Sequence, residues 1–311
     1  MSRDLLIWVF SFAASLVLSP LLFGIVNKVK AFFAGRKGPR ILQLYFDLAK
    51  LLRKGSVYSV TSGGILRLAP CASLAALLAA ALFVPYGLAR SPLSFHGDVL
   101  FFFYLLGFAR MATMLSALDT GSSFEGMGAS REAQFSALAE LAIFGVVGFL
   151  AALTRSADFS ALSPGGGGLW SVHAISLLLT ASAFFIVLLA ENCRVPFDDP
   201  ETHLELTMIH EAMILDNGGP DLALILYGAS LKLWLFASFF VMLVVPWHAC
   251  GTPAGVPLYF GGIFLTAAAV GVVESGMARY RFLKVPQMLV GALAVSLLGV
   301  FIMLVFEGGL E

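Results

Sequence analysis

The chain has 311 residues, of which 59% are hydrophobic and only 12% are charged. Its 19 basic residues balance 19 acidic ones, so nucleic acid is not an expected partner. Length alone would suggest two soluble domains, but long apolar runs predict one integral membrane domain over residues 1–311. We expect an all-α polytopic membrane protein, because helices satisfy their own backbone hydrogen bonds in lipid.

Eight apolar segments are each long enough to cross a bilayer, which takes about 20 helical residues. The first has no small-residue cleavage site before Asn27, so we interpret it as a retained helix and not as a signal peptide. The predicted spans are residues 5–26, 66–88, 99–118, 134–153, 171–190, 222–245, 258–276 and 286–306.

The basic residues are distributed unevenly between the two sides. Fourteen of the 19 fall in the connections after the first, third, fifth and seventh spans, if Arg67 at the start of the second span is counted with the first connection. The positive-inside rule then places these connections in the cytoplasm and both termini outside a cell (inner) membrane.

The first cytoplasmic connection is patterned as an amphipathic helix. Leu44, Leu48 and Leu51 recur at helical spacing, with Asp47 and Lys50 between them. Two interpretations remain open: the helix lies on anionic lipid headgroups, or it docks a cytoplasmic subunit.

The three cysteines are far apart in sequence and include no CxxC pair. The chain therefore has neither a disulfide framework nor a ligand set for an iron–sulfur cluster. We expect no cofactor in this chain, which has nothing of its own with which to carry electrons.

An acidic cytoplasmic loop, residues 191–221, follows the fifth span and contains eight carboxylates. Asp199-Pro200 is a typical helix start and 216–219 (DNGG) a typical stop, so the sequence predicts a helix over 200–215. On that helix Glu201 and Glu205 would share one face and His203 and His210 the opposite one, with Glu211 to the side.

Three interpretations of this loop compete. Metal binding is disfavoured because His203 and His210 lie two turns apart, and because Ile214 replaces the second histidine of an HExxH motif. A plain solvated loop would need no explanation, but the loop is rich in apolar residues. We favour a row of carboxylates and imidazoles partly removed from water, with raised carboxyl pKa values and exchangeable protons.

Four of the ionisable residues within predicted spans are further candidates, because an unpaired charge is costly there. Glu140 lies early in span four, Glu274 late in span seven, and Arg110 and Lys232 in the middle of spans three and six. Each should face protein or water, and a pair between Arg110 and Glu140 is expected. These residues either extend the row of exchangeable protons or form structural ion pairs.

Four segments carry a resemblance to a known family. They are 35–39 (GRKGP) with the following Gln43, Asp47 and Lys50; 128–134 (GASREAQ) with Glu140; 191–198 (ENCRVPFD); and the basic connection 274–286. Together they resemble the membrane subunit shared by respiratory complex I (subunit 1, or H) and the membrane-bound NiFe-hydrogenases. The run 199–211 (DPETHLELTMIHE) is similar to the energy-converting hydrogenase and formate hydrogenlyase branch.

The resemblance implies a non-redox membrane anchor and proton-coupling subunit of an oxidoreductase complex. Its partners would be the peripheral NiFe-hydrogenase large and small subunits, which would hold the NiFe centre and iron–sulfur clusters, and antiporter-like membrane subunits. Two alternatives stay open: a quinone-site subunit of an NADH:quinone oxidoreductase, and a stand-alone secondary ion transporter, which the lack of an obvious internal repeat disfavours.

Residue patterns and the resemblance together define two sets of candidate residues. The proton-relay set is Arg110, Glu140, Glu191, Asp198, Glu201, His203, Glu205, His210, Glu211, Lys232 and Glu274. The set implied to line or brace the junction with the peripheral arm is Arg36, Asp47, Lys50, Arg131, Arg194, Arg279 and Arg281.

Overall fold

The computed structural model describes residues 3–86, 91–162, 169–198, 208–245 and 251–308. Within these ranges the chain forms helices and no strands. The helices are α1 (Arg3–Phe33), α2 (Gln43–Leu51), α3 (Gly64–Phe83), α4 (Asp98–Asp119), α5 (Ser123–Thr154), α6 (Leu169–Val172), α7 (Ala174–Glu191), α8 (His210–Met213), α9 (Gly219–Val244), α10 (Gly251–Gly276) and α11 (Lys284–Gly308).

Eight of these helices are long and apolar enough to cross a membrane: α1, α3, α4, α5, α7, α9, α10 and α11. The predicted all-α fold with eight spans is therefore confirmed. The chain is a multi-pass membrane protein.

The limits of some spans differ from the prediction for identifiable reasons. α3 ends at Phe83 and not at residue 88, because Val84 precedes a proline and adopts an extended conformation (φ −68°, ψ 126°). α1 continues to Phe33, beyond the predicted limit at residue 26, because lysine is a good helix former and the helix can extend past the apolar layer. α5 begins at Ser123, 11 residues before the predicted start of its span, so Glu140 lies near the middle of the helix and not early in it.

Helix α9 lies at the centre of the bundle and is the most buried of the spans. It packs against α1, α3, α7 and α10, while α11 packs against α5 and α7 on the other side. Side chains on α9 can therefore contact side chains of all four of these neighbouring helices.

The connections fall at two ends of the bundle. Of the described residues, those at 34–63, 120–122, 192–198, 208–218 and 277–283 form what we call the basic end, and those at 84–86, 91–97 and 155–162 form the opposite end. The predicted amphipathic helix is present as α2 at the basic end, where it has no buried residue and contacts α1 and α9.

Candidate functional site

A cluster of four charges lies inside the bundle, between α4, α5, α7 and α9. The Arg110 guanidinium donates from Nη1 to Glu191 and from Nη2 to Glu140. Lys232 Nζ lies 3.0 Å from Glu191 Oε2 and donates to the Glu191 backbone oxygen at 2.5 Å. The expected pair between Arg110 and Glu140 is thus present, and Glu191 extends it to a second cation. Such pairing is what allows charges to persist at membrane depth.

Local sequence explains why these side chains point inward. Arg110 is on the buried face of α4, between Leu106 and Ala117, and its side chain is 6% exposed. Glu191 is the last residue of α7, so it follows a long apolar run directly and its side chain is 3% exposed.

A second group of charges lies nearer the basic end. Asp198 pairs with Arg279 at 2.7 Å, and its Oδ2 accepts the backbone N–H groups of Ile209 (3.3 Å) and His210 (3.2 Å). Glu274 lies 3.4 Å from Arg194 and 3.3 Å from Lys30. This group ties the acidic loop to the cytoplasm-predicted ends of α1 and α10.

One cavity of about 250 Å³ joins the two groups. Arg110, Glu191 and Lys232 line its inner part, and Arg194, Asp198, His210 and Glu211 line the part toward the basic end. Apolar side chains, among them Phe23 of α1 and Leu77 of α3, complete the wall. The cavity therefore offers charged and hydrogen-bonding groups to one continuous internal space.

Glu132 belongs to the same cavity and was not among the predicted site residues. It is 9% exposed and faces the charges of Lys232 and Arg110. The signal available in the sequence was a second carboxylate on the helix that carries Glu140, eight residues earlier. The unforeseen extension of α5 placed Glu132 within a helix and not in a solvated connection.

Beyond Arg110 the charges approach the surface of the bundle. A small cavity of about 30 Å³ is lined by Arg110, Glu140, Glu191, Tyr104 and Phe144, among others. The Glu140 side chain is 50% exposed even though it lies near the middle of a spanning helix.

Two groups of the acidic loop have shifted pKa values. Burial, with Lys232 and Arg194 nearby, lowers the pKa of His210 to about 4. Burial and the neighbouring Glu132 and Asp198 raise the pKa of the Cys193 thiol well above its usual value. At neutral pH the cavity wall thus contains a neutral imidazole and a neutral thiol.

The predicted helix over 200–215 is wrong in its described part. Only His210–Met213 is helical there, because Asp198 binds the N–H groups of Ile209 and His210, and Asn217 N–H donates to Ile214 O to form a turn. Glu201, His203 and Glu205 lie outside the described residues. The described residues contain no group of three or more His, Cys, Asp or Glu side chains that could hold a metal ion.

The residues predicted to line the junction with the peripheral arm divide into two groups. Arg36, Lys50 and Arg281 are exposed at the basic end, and Asp47 accepts a hydrogen bond from Gln43 (3.0 Å). Arg131, Arg194 and Arg279 instead brace the loop itself, for example through the donation from Arg131 Nη1 to Met208 O at 2.9 Å.

A polytopic helical bundle with buried, paired charges and a cavity toward its basic end defines a class of integral membrane protein with a charged interior. The family model for NADH dehydrogenase matches residues 5–305, and the chain belongs to this family.

Two curated relatives and one solved structure refine the comparison. Hydrogenase-4 component C of Escherichia coli (strain K12) is 32% identical over 280 residues, covering 87% of this chain and 86% of the relative. Formate hydrogenlyase subunit 4 of the same organism is 32% identical over 269 residues, covering 85% and 87%. In overall fold the chain is similar to a chain of the membrane-bound sulfane sulfur reductase, an archaeal respiratory membrane complex, with a TM-score of 0.76, 21% identity and coverage of 96% and 98%. The chain is a membrane subunit of a respiratory-type complex.

Proposed function

We propose that this protein is the non-redox, proton-coupling membrane subunit of a membrane-bound NiFe-hydrogenase complex of the formate hydrogenlyase or energy-converting type. The redox reaction would take place in a peripheral arm docked at the basic end, whose NiFe centre and iron–sulfur clusters belong to partner subunits. The basic end would face the cytoplasm of a cell with this complex in its inner membrane, in accordance with the positive-inside rule.

One observation carries the proposal: ionisable groups line a cavity from the basic end to Arg110, and Arg110 pairs with a carboxylate at the lateral surface of the bundle. The cavity runs from His210 and Asp198 to Glu191, and Arg110 connects Glu191 to the half-exposed Glu140. A redox event at the basic end would change the charge near Asp198, and the paired groups would respond by moving protons along the row.

Glu140 also indicates a neighbour in the membrane. A half-exposed carboxylate facing lipid would be costly, so we infer that another membrane subunit covers this surface and continues the route. Membrane subunits of the antiporter-like type are the partners that our interpretation requires.

Replacement of Glu140 by glutamine tests the proposal. We expect proton translocation per redox turnover to fall by at least about tenfold, since a positioned proton-transfer group contributes about 10²–10⁴-fold to its step. The measurement is internal or external acidification of membrane vesicles that contain the whole complex, together with the redox rate.

A matched control is Glu125→Gln. Glu125 is a second carboxylate of α5; it is fully buried, accepts the Asp216 N–H (3.0 Å) and does not line the cavity. Both variants should assemble. An unchanged ratio of protons to turnovers in Glu140→Gln would reject the proton-coupling role.

A quinone-site subunit is the second candidate, because Phe23, Leu77 and Ile225 give the cavity an apolar wall. Its volume of about 250 Å³ is below the roughly 300 Å³ at which pockets for drug-sized ligands begin. A quinone-competitive inhibitor distinguishes the candidates: inhibition of the complex would favour this one, and undisturbed turnover would favour the hydrogenase-type subunit.

A further inference from the structure

Helix α1 presents three serines to the interior of the bundle. Ser11, Ser15 and Ser19 recur every four residues, so they share one face, and all three are 0% exposed. Serine is common where membrane helices pack closely, but a buried hydroxyl is costly unless it is hydrogen-bonded.

Buried tyrosines from other elements meet this face. The Tyr86 hydroxyl lies 3.1 Å from the Ser15 hydroxyl and donates to Ala81 O at 3.0 Å. The ring of Tyr86 contacts the ring of Tyr259 edge-on, with centroids 6.0 Å apart, and Tyr259 in turn donates to Ser238 Oγ at 2.6 Å. We call Ser11, Ser15, Ser19, Tyr86, Tyr227, Ser238 and Tyr259 the hydroxyl string.

One polar atom along the hydroxyl string, Ser11 Oγ, has no hydrogen-bond partner among the described residues. Ser11 is 0% exposed, and an unpaired buried group costs about 1–3 kcal/mol. Buried water is the usual partner of such groups, at about one molecule per 27 residues. The indole of Trp234, one turn before Ser238 on α9, is equally buried and lies beside Tyr259.

The inner end of the hydroxyl string approaches the charged cavity. Tyr227 donates to Leu16 O at 3.0 Å, so its hydroxyl lies at the level of the α1 serines. Its sequence neighbours Leu226 and Gly228 line the cavity, as does Phe23, which is one turn beyond Ser19. The string therefore begins about one helical turn, roughly 5 Å, from the cavity.

The outer part of the hydroxyl string reaches the opposite end of the bundle. Trp8, one turn from Ser11, donates from Nε1 to Val84 O at 3.1 Å. Val84 and Tyr86 are in the non-helical segment that follows α3 at that end. The string thus extends from the cavity to the opposite end.

The serines of the hydroxyl string donate to carbonyls of their own helices: Ser15 to Phe12 O at 2.7 Å, Ser19 to Leu16 O at 3.3 Å and Ser238 to Trp234 O at 2.7 Å. Thr180, which is also 0% exposed, donates in the same way to Ser176 O within α7 at 2.8 Å, as hydroxyls commonly do in membrane helices. The hydroxyl string differs from Thr180 because its oxygens also meet hydroxyls of other elements, at 3.1 Å between Ser15 and Tyr86 and at 2.6 Å between Tyr259 and Ser238.

We propose that the hydroxyl string, completed by buried water, is a proton path between the cavity and the opposite end of the bundle. Each oxygen accepts a proton on a lone pair and releases its own to the next oxygen, so no bond to carbon changes and nothing is oxidised. The proton comes from the carboxylates of the cavity and leaves to water at the opposite end. Proton conduction along the hydroxyl string rests on the proposed proton-coupling function. The presence of buried water along the string does not depend on that function.

Radiolytic hydroxyl-radical footprinting of the purified complex tests the hydration. Radicals generated from bound water label side chains beside that water even where bulk solvent has no access. We expect Tyr86, Tyr259 and Trp234 to be oxidised well above Phe102 and Phe149, which are equally buried but away from the hydroxyl string, after correction for intrinsic reactivity. Labelling no greater than at the two phenylalanines would overturn the proposal.

Substitutions that remove single hydroxyl groups test whether the hydroxyl string conducts protons. Tyr259→Phe and Ser15→Ala should each lower proton release per redox turnover several-fold in vesicles containing the whole complex, and Ser15→Thr should restore it. Thr180→Val is the matched control, since it removes an equally buried hydroxyl outside the hydroxyl string. Because two sites are tested, the failure of one variant to assemble leaves the other as the test.

The outcomes separate this proposal from the proposed function. If Glu140→Gln lowers proton release while Tyr259→Phe and Ser15→Ala leave it unchanged, the path is wrong and the coupling role stands. If none of the three variants changes proton release, both are wrong, even where the footprint finds water.

Discussion

Glu191 is paired with two cations, and these partners come from two different helices. Arg110 of α4 and Lys232 of α9 both bind its side chain, and Arg110 also binds Glu140 of α5. A charge moved onto or off any of these groups changes the pairing of the others, because they share one low-dielectric space. Coupling at the residue scale therefore needs no large movement of the backbone.

His210 provides a pH-dependent prediction at the same scale. Its pKa is lowered from 6.5 to about 4, chiefly by burial and then by Lys232 and Arg194. The unfolded chain would take up a proton on this imidazole near pH 6.5, while the folded protein resists protonation until about pH 4. Folding stability is therefore retained above pH 6.5 and falls as the pH drops through this window, by up to about 1.4 kcal/mol per unit.

We expect His210→Gln to remove this contribution. Melting temperatures of the purified protein measured from pH 8 to pH 4 should decline less steeply in the variant than in the parent protein. Above pH 7 the imidazole is neutral in both states, so the two curves should run in parallel there, which serves as the internal control. Curves that stayed parallel over the whole range would show that His210 is not buried as a neutral group.

At the scale of elements, α11 is held against α7 by a close approach at one glycine. A Cβ on Gly299 would lie 2.8 Å from Thr180 Oγ1 and 3.2 Å from Ser176 O, and the latter is backbone that cannot rotate away. Small residues at such crossings permit the tight packing on which helix association in membranes depends.

The prediction is that Gly299→Ala separates the two helices locally and destabilises the fold by about 1–3 kcal/mol, as overpacked sites do. Gly291→Ala is a control on the same helix, because a Cβ there would meet no atom within 4 Å. The measurement is the melting temperature of each variant in detergent. Equal melting temperatures would contradict the close packing of α7 and α11.

Some features of these elements can be predicted from the sequence, and others depend on tertiary contacts. Hydropathy located all eight spans, because each needs a long apolar run wherever it packs. The pair of Arg110 with Glu140 was predictable, since an isolated charge at that depth is costly. The helix over 200–215 was not correctly predicted, because Asp198 of the same loop binds the N–H groups of Ile209 and His210. The serine face of α1 gave no functional signal until Tyr86 and Tyr259 were seen to meet it.

At the scale of the whole molecule, the surface around Glu140 is exposed at the point where the proposed proton route leaves the bundle. Tyr104 of α4 is 64% exposed and Phe144 of α5 is 41% exposed, on either side of the small cavity that contains Glu140. Their rings contact each other, with centroids 6.3 Å apart. A second membrane subunit with polar side chains of its own would cover this patch and shield the carboxylate from lipid.

A photoreactive amino acid placed at residue 104 or 144 should therefore crosslink, in native membranes, to a co-purifying membrane subunit of the complex. The control position is Phe301 of α11, which is 63% exposed but does not line the small cavity and should react mainly with lipid. We expect the crosslinked subunit to be the same from both test positions, because the two rings belong to one patch. Crosslinks to lipid alone at residues 104 and 144 would mean that Glu140 faces the bilayer, and the lateral continuation of the proton route would then be wrong.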